Sequence, residues 1–181
     1  MTILTHIISH PGGFVNSFCE KFFCALKGRK LRKTARCAII KGKREGENAM
    51  ERRLLILDGE KFSDLDGFYR EIGRILGGDG DAGRNLDALR DLLYGGFGVH
   101  APGEKLRLIW KRAKKSRREL GYEAAAREYR RRLEKAHPSN REKLEKRLRD
   151  AENGEGPTLF DEITAVICDP EADYDCELVL E

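Results

Sequence analysis

Three short apolar runs constrain the fold most: Arg53-Leu54-Leu55-Ile56-Leu57, Leu106-Arg107-Leu108-Ile109-Trp110 and Cys176-Glu177-Leu178-Val179-Leu180. Each is strand-length, and the first ends at Asp58-Gly59, a turn dipeptide. The segments between the runs are long and carry a helical period, so they are not hairpin loops. Strands joined by long helical connections can lie parallel with right-handed crossovers. The expected architecture is therefore α/β, a three-stranded parallel sheet packed with helices.

The connections have readable starts and stops. Leu65, Phe68, Ile72, Ile75 and Leu76 follow a helical period behind Ser63, an expected N-cap, and Gly77-Gly78 stops them. Gly78 to Gly83 matches G-x-G-x-x-G, but it follows a helix rather than a strand. Its Asp79 and Asp81 would also repel a pyrophosphate. Nor is it a calcium loop, because Arg84 stands where the turn glycine belongs and Arg90 where the bidentate glutamate belongs. It reads as an acidic connector. Residues 111–120 and Tyr122 to Lys135 read as helices. Ser139 with Glu142 forms an expected capping box for another, closed by Asn153-Gly154. Pro157-Thr158 opens the last helix, which Asp169-Pro170 ends.

Between Gly83 and Leu93 lies a short helix with two jobs. Leu86, Leu89 and Leu93 recur at i, i+3 and i+7 and face a core, whereas Asp87 and Asp91 stand four apart on another face. Like charges so placed cost an isolated helix about 0.2–0.5 kcal/mol. A cationic partner opposite them would give that cost a purpose.

Charge is unevenly distributed. The chain is 40% hydrophobic and 36% charged with a net charge of +4, which suits one globular domain with a highly charged surface. Residues 1–49 carry +7, 50–110 carry −2, 111–156 carry +7 and 157–181 carry −8. A basic whole chain would suggest nucleic acid, but the middle and final segments are acidic. No apolar run is long enough to span a membrane, and no basic n-region precedes a continuous apolar stretch, so a cytoplasmic protein is expected. Five cysteines, with no C-x-x-C pair, favour reduced thiols over a disulfide framework. His6, His10, Cys19 and Cys24 fit no common zinc spacing, and no metal or other cofactor is expected.

Residues 1–49 are basic and lack sustained periodicity. They read as a disordered extension or a mis-assigned start: Arg44-Glu45-Gly46 can be encoded by a purine-rich run resembling a ribosome-binding site ahead of the Met50 codon. The expected domain is then 50–181, with a helical insertion at about 121–156.

Leu57-Asp58-Gly59, the run Gly83-Arg84-Asn85-Leu86-Asp87-Ala88-Leu89-Arg90-Asp91-Leu92-Leu93, the strand ending in Trp110, and the closing helix and strand resemble the barstar family of intracellular ribonuclease inhibitors. The resemblance covers about 53–120 and 157–180. It implies a parallel three-stranded sheet packed with helices and no catalytic activity. It also implies binding to a secreted microbial ribonuclease by blockade of its active site. By position, Asp87 and Asp91 match the family's two acidic contacts on the binding helix, and Asn85 matches the Asn near its start. Asp79, Asp81 and Arg84 would stand at the rim. The chain departs from the archetype at Arg90, where the archetype has Trp, and at Asp81 and Ala82, which replace an aromatic pair. Phe97 is the candidate for an aromatic that follows the helix, and Asp169 or Glu171 for a late acidic contact.

The expected partner is a cognate secreted ribonuclease or nuclease toxin, met by a chain that is monomeric beforehand. Arg90 is expected either to pair with a nearby acid of its own chain or to meet an acid of the partner. Trp110 is expected in the core, and Cys168 and Cys176 as buried thiols. A second reading makes the chain an immunity protein against another nuclease-type toxin. A third makes it a nucleic-acid binder using the basic clusters Lys111 to Arg118 and Arg130 to Arg132, although nucleic acid is not the favoured partner. No nucleophile–base pair, metal cluster or phosphate loop points to an enzyme.

Overall fold

The computed structural model describes residues 52–77 and 84–181. Strands β1 (Arg53–Asp58), β2 (Leu106–Lys111) and β3 (Cys176–Leu180) form one sheet in the order β1-β2-β3, and both pairings are parallel. Six helices accompany them among the described residues: α1 (Leu65–Leu76), α2 (Leu86–Tyr94), α3 (Ala113–Glu119), α4 (Tyr122–Glu134), α5 (Pro138–Glu152) and α6 (Leu159–Ile167). The expected α/β architecture is thus present. The expectations for residues 1–49, Asp79 and Asp81 lie outside the described residues.

Alternation along the strands decides which face is covered. Leu55 and Leu57 of β1, Leu106, Leu108 and Trp110 of β2, and Leu178 of β3 are buried in one core with the helices. Their neighbours Leu54 and Ile56 are exposed on the opposite face. Trp110 is fully buried at the centre. Its ring lies 4.8 Å from that of Phe160, 5.5 Å from Phe68 and 6.2 Å from Phe62. Its indole N–H donates to Ser116 Oγ at 3.0 Å, so the one polar atom of the ring is satisfied.

Four local expectations need correction. The cap of α1 is Asp64, not Ser63: its Oδ1 accepts the Gly67 N–H at 2.7 Å. Both residues can cap, and the helix takes the carboxylate immediately ahead of Leu65. The Ser139–Glu142 capping box does not form. Pro138, whose ring presets a helical φ, becomes the first residue of α5, and His137 caps it through Nδ1. A complete box occurs instead at α6, where Thr158 Oγ1 accepts the Asp161 N–H and Asp161 Oδ2 accepts the Thr158 N–H. The segment 111–120 is not wholly helical, because β2 runs on to Lys111, opposite Asp58, and Arg112 turns the chain at φ +55° before α3. Cys168 and Cys176 are half-buried rather than buried; burial pushes the Cys176 thiol up to about 12, which makes it a poor nucleophile.

Helices α4 and α5 form an antiparallel hairpin that joins the core through Ala125, Tyr129 and Ala151. Within it, buried Glu128 accepts two hydrogen bonds from Arg131, at 2.8 and 2.9 Å, and one from Arg132 at 2.7 Å. Burial pushes this carboxyl up, but the two guanidinium groups hold it below its ordinary 4.5. Glu71 is also held low, by hydrogen bonds from Arg74 and, against some burial, from Lys61. A carboxylate lowered by folding stabilises the fold above its unfolded value, and that contribution disappears as pH falls through the folded value. The fold should therefore lose melting temperature below about pH 4.5. The Glu71→Gln/Glu128→Gln variant should be less stable at neutral pH and should lose less on acidification, a comparison that thermal melts across pH will make.

Candidate partner-binding face

Helix α2 is positioned by its cap and its leucines. Asn85 Oδ1 accepts the Ala88 N–H at 2.8 Å. Leu89, Leu92 and Leu93 are buried, with Leu86 half-buried beside them. Once those residues face inward, Asp87, Arg90, Asp91 and Tyr94 must share the outer side, at i, i+3, i+4 and i+7. Asp87 and Asp91 are exposed, and no salt bridge among the described residues engages either one. That is notable in a chain with 35 lysines and arginines.

Arg90 lies between the two acids and has a partner within the chain. Its Nη2 donates to Asp169 Oδ2 at 3.0 Å, joining α2 to the segment that follows α6. This is the intramolecular pairing expected of Arg90. Both side chains are partly exposed, so the pair contributes about 0–1 kcal/mol to stability. Its larger effect is on charge. Asp169 neutralises Arg90, leaving two uncompensated carboxylates on the face. Asp169 also accepts the Glu171 N–H at 3.0 Å, while Glu171 itself is exposed. Of the two late acids, Asp169 is the one brought against α2.

The helix runs into a loop that holds its shape. Gly95 has φ +103°, and a Cβ there would stand 2.7 Å from the Ala101 carbonyl oxygen. Gly103 N–H donates to Tyr94 O at 2.9 Å, Gly96 N–H donates to His100 O at 3.0 Å, and buried His100 places Nε2 3.3 Å from Leu93 O. Gly77, at φ +84°, admits the Phe97 carbonyl to within 2.7 Å of its missing Cβ. A loop tied this way presents Phe97 to solvent at 50% exposure, next to Tyr94 at 46%. Tyr94 shares the helix face of the acidic pair, and Phe97 follows it in the loop three residues on.

Of the residues expected at the site, Asp87, Arg90 and Asp91 share the outer side of α2 with Tyr94, which the sequence reading did not single out. Its spacing of seven from Asp87 and three from Asp91 was the available signal. Asn85 has a role beyond the one expected, since its side-chain oxygen is engaged as the cap and only its amide remains outward. Arg84 is exposed just ahead of it. Among the described residues, no three His, Cys, Asp or Glu side chains stand together to hold a metal ion. An exposed carboxylate pair on a braced helix can accept charge-assisted hydrogen bonds from guanidinium and ammonium groups, as phosphate oxygens do.

The family model described as Barstar (barnase inhibitor) matches residues 52–160, from the residue before β1 into α6. The chain belongs to the barstar family. A search of curated proteins finds no match. The match takes in the capped acidic helix and β2 with Trp110. The described family role is inhibition rather than catalysis. No described helix is long and apolar enough to cross a membrane.

Proposed function

We propose that this barstar-family chain binds a microbial ribonuclease and blocks its cationic active site with α2. Asp87 and Asp91 take the places of substrate phosphates. The observation that carries the reading is the pair of exposed carboxylates left unpaired on a helix whose other side is locked into the core. An enzyme that cleaves RNA must hold phosphate with cations, and these are the groups such carboxylates attract. Long-range attraction speeds the encounter and weakens with salt. Tyr94 and Phe97 supply apolar contact at the edge, the kind of aromatic anchor around which binding energy concentrates.

Arg90 narrows the partner. Where the archetype of the family has Trp, this face carries a guanidinium tied to Asp169, so the target is a nuclease related to, but different from, a barnase-like enzyme. A pull-down from the source organism followed by ribonuclease assay should recover a secreted nuclease that is inhibited at one-to-one stoichiometry, with association slowing as salt rises. Recovery of no nuclease, or inhibition indifferent to salt, would count against the reading. Phe97→Ala should weaken inhibition by about 2 kcal/mol, the threshold of a hot spot, with little change in melting temperature. Titration of residual nuclease activity measures it.

A further inference from the structure

A second charged surface lies at the carboxyl end of the sheet. Lys111, Arg112, Lys114, Lys115 and Arg118 line an open groove of about 570 Å³ together with Glu181. Lys111 ends β2 and Glu181 follows β3. The Glu181 N–H donates to Trp110 O at 2.9 Å, and the Ala113 N–H donates to Glu181 O at 2.7 Å. The groove therefore sits outside the carboxyl ends of the strands, where open α/β sheets take ligands. Arg90 and Asp169 belong to the opposite side, because Asp169 precedes the amino end of β3 in a parallel sheet.

The cations here differ from those of the hairpin. On α4 and α5, Arg130 is paired with Glu152, Arg131 and Arg132 with Glu128, and Arg147 with Glu162. At the groove, Lys115 is anchored to the carbonyls of Gly59 and Phe62 and to Glu119, and Arg112 faces Glu60 at 3.5 Å. Lys111, Lys114 and Arg118 enter no ion pair among the described residues. The left-handed turn at Arg112, the one non-glycine residue with positive φ among those described, brings residues on both sides of it to the same groove.

We propose that this groove binds the phosphate backbone of a nucleic acid without reading its bases. Several cations bordering one open channel suit a chain of phosphates. Glu181 among them disfavours a lone small anion. No exposed large apolar side chain lines the groove, so nothing there would stack on bases or enter a bilayer. Contact is then with the backbone alone and is set by counterion release.

The test uses the full 181-residue chain and a fluorescent oligouridylate of about 20 nucleotides, titrated over a range of salt. Lys111→Gln/Lys114→Gln/Arg118→Gln is compared with the charge-matched Arg127→Gln/Lys143→Gln/Arg149→Gln, which changes exposed hairpin cations. The groove variant should bind at least about tenfold more weakly at about 50 mM salt, with a log–log salt slope shallower by about 2, while the hairpin variant follows the parent. Circular dichroism checks that both variants are folded. Equal weakening of the two variants, an unweakened groove variant, or no binding by the parent at low salt would overturn the proposal. So would loss of binding to phosphatidylserine vesicles, rather than to the oligonucleotide, in the groove variant.

Discussion

Asp91→Ala should cost about 2–5 kcal/mol of affinity for the cognate ribonuclease, roughly 30-fold to several thousand-fold, while leaving the free protein as stable as before. The two halves of this expectation come from the same geometry. In the free chain Asp91 is exposed on α2, has no cationic partner among the described residues, and stands four residues from a like charge at Asp87. Removing it takes away repulsion of about 0.2–0.5 kcal/mol and no contact, so the melting temperature should hold or rise slightly. In the complex the same carboxylate would be enclosed by cations, and truncating it would leave one of them buried and unpaired. Glu142→Ala, an exposed acid on α5, serves as control and should change nothing in the titration. If Asp91→Ala and Glu142→Ala inhibit equally, α2 is not the interface. Asp91→Asn should lose nearly as much as Asp91→Ala, since it keeps the shape and removes the charge.

The second large effect is on the fold. Trp110→Ala should destabilise the chain by about 3–5 kcal/mol, the usual range for deleting a large buried aromatic. Three aromatic rings pack on this indole and Ser116 accepts its N–H, so truncation opens a cavity bordered by α1, α3 and α6 and orphans a buried hydroxyl. Against a typical total of about 5–15 kcal/mol, this is a large share. At about 2–4 °C per kcal/mol for a chain of this size, the melting temperature should fall by roughly 6–20 °C. Trp110→Phe keeps most of the packing and should cost less. Measured at low temperature, where both variants are folded, inhibition of the nuclease should be nearly unchanged, because Trp110 is fully buried and its ring and hydrogen-bond partners all lie off α2. A melting temperature within a few degrees of the parent would show that the ring is not the centre of the core.

The contrast between these residues explains what could be read from sequence. The strands declare themselves as short apolar runs, and β3 matches its expected limits. The runs do not say which side is covered: Leu54 and Ile56 belong to the apolar run of β1, yet they are exposed because only one face of the sheet carries helices. The helix α2 is equally legible, since its leucines fix which residues must face outward. Errors arise where two local signals compete. Ser63 and Asp64 can both cap α1, and Pro138 pre-empts Ser139 at α5. Long-range pairings carry no local signal at all. Arg90 and Asp169 are far apart in sequence, and only the arrival of α6 beside α2 makes them partners. The hairpin's arginines look like a basic face when counted in a row, yet glutamates three and four residues away absorb them.

The α4–α5 hairpin has a consequence for engineering. A single carboxylate fastens it to α6: Glu162 Oε1 accepts both the Tyr129 hydroxyl and the Arg147 guanidinium, each at 2.8 Å. Tyr129 and Ala125 sit in the same core as Trp110 and Phe160. The hairpin therefore cannot be clipped off to leave a smaller stable domain. Excision would uncover an apolar wall on α6 and strand a carboxylate beside it. Any miniaturised version must redesign α6 as well, replacing Glu162 and resurfacing the helix. Grafting α2 onto another scaffold would be the shorter route.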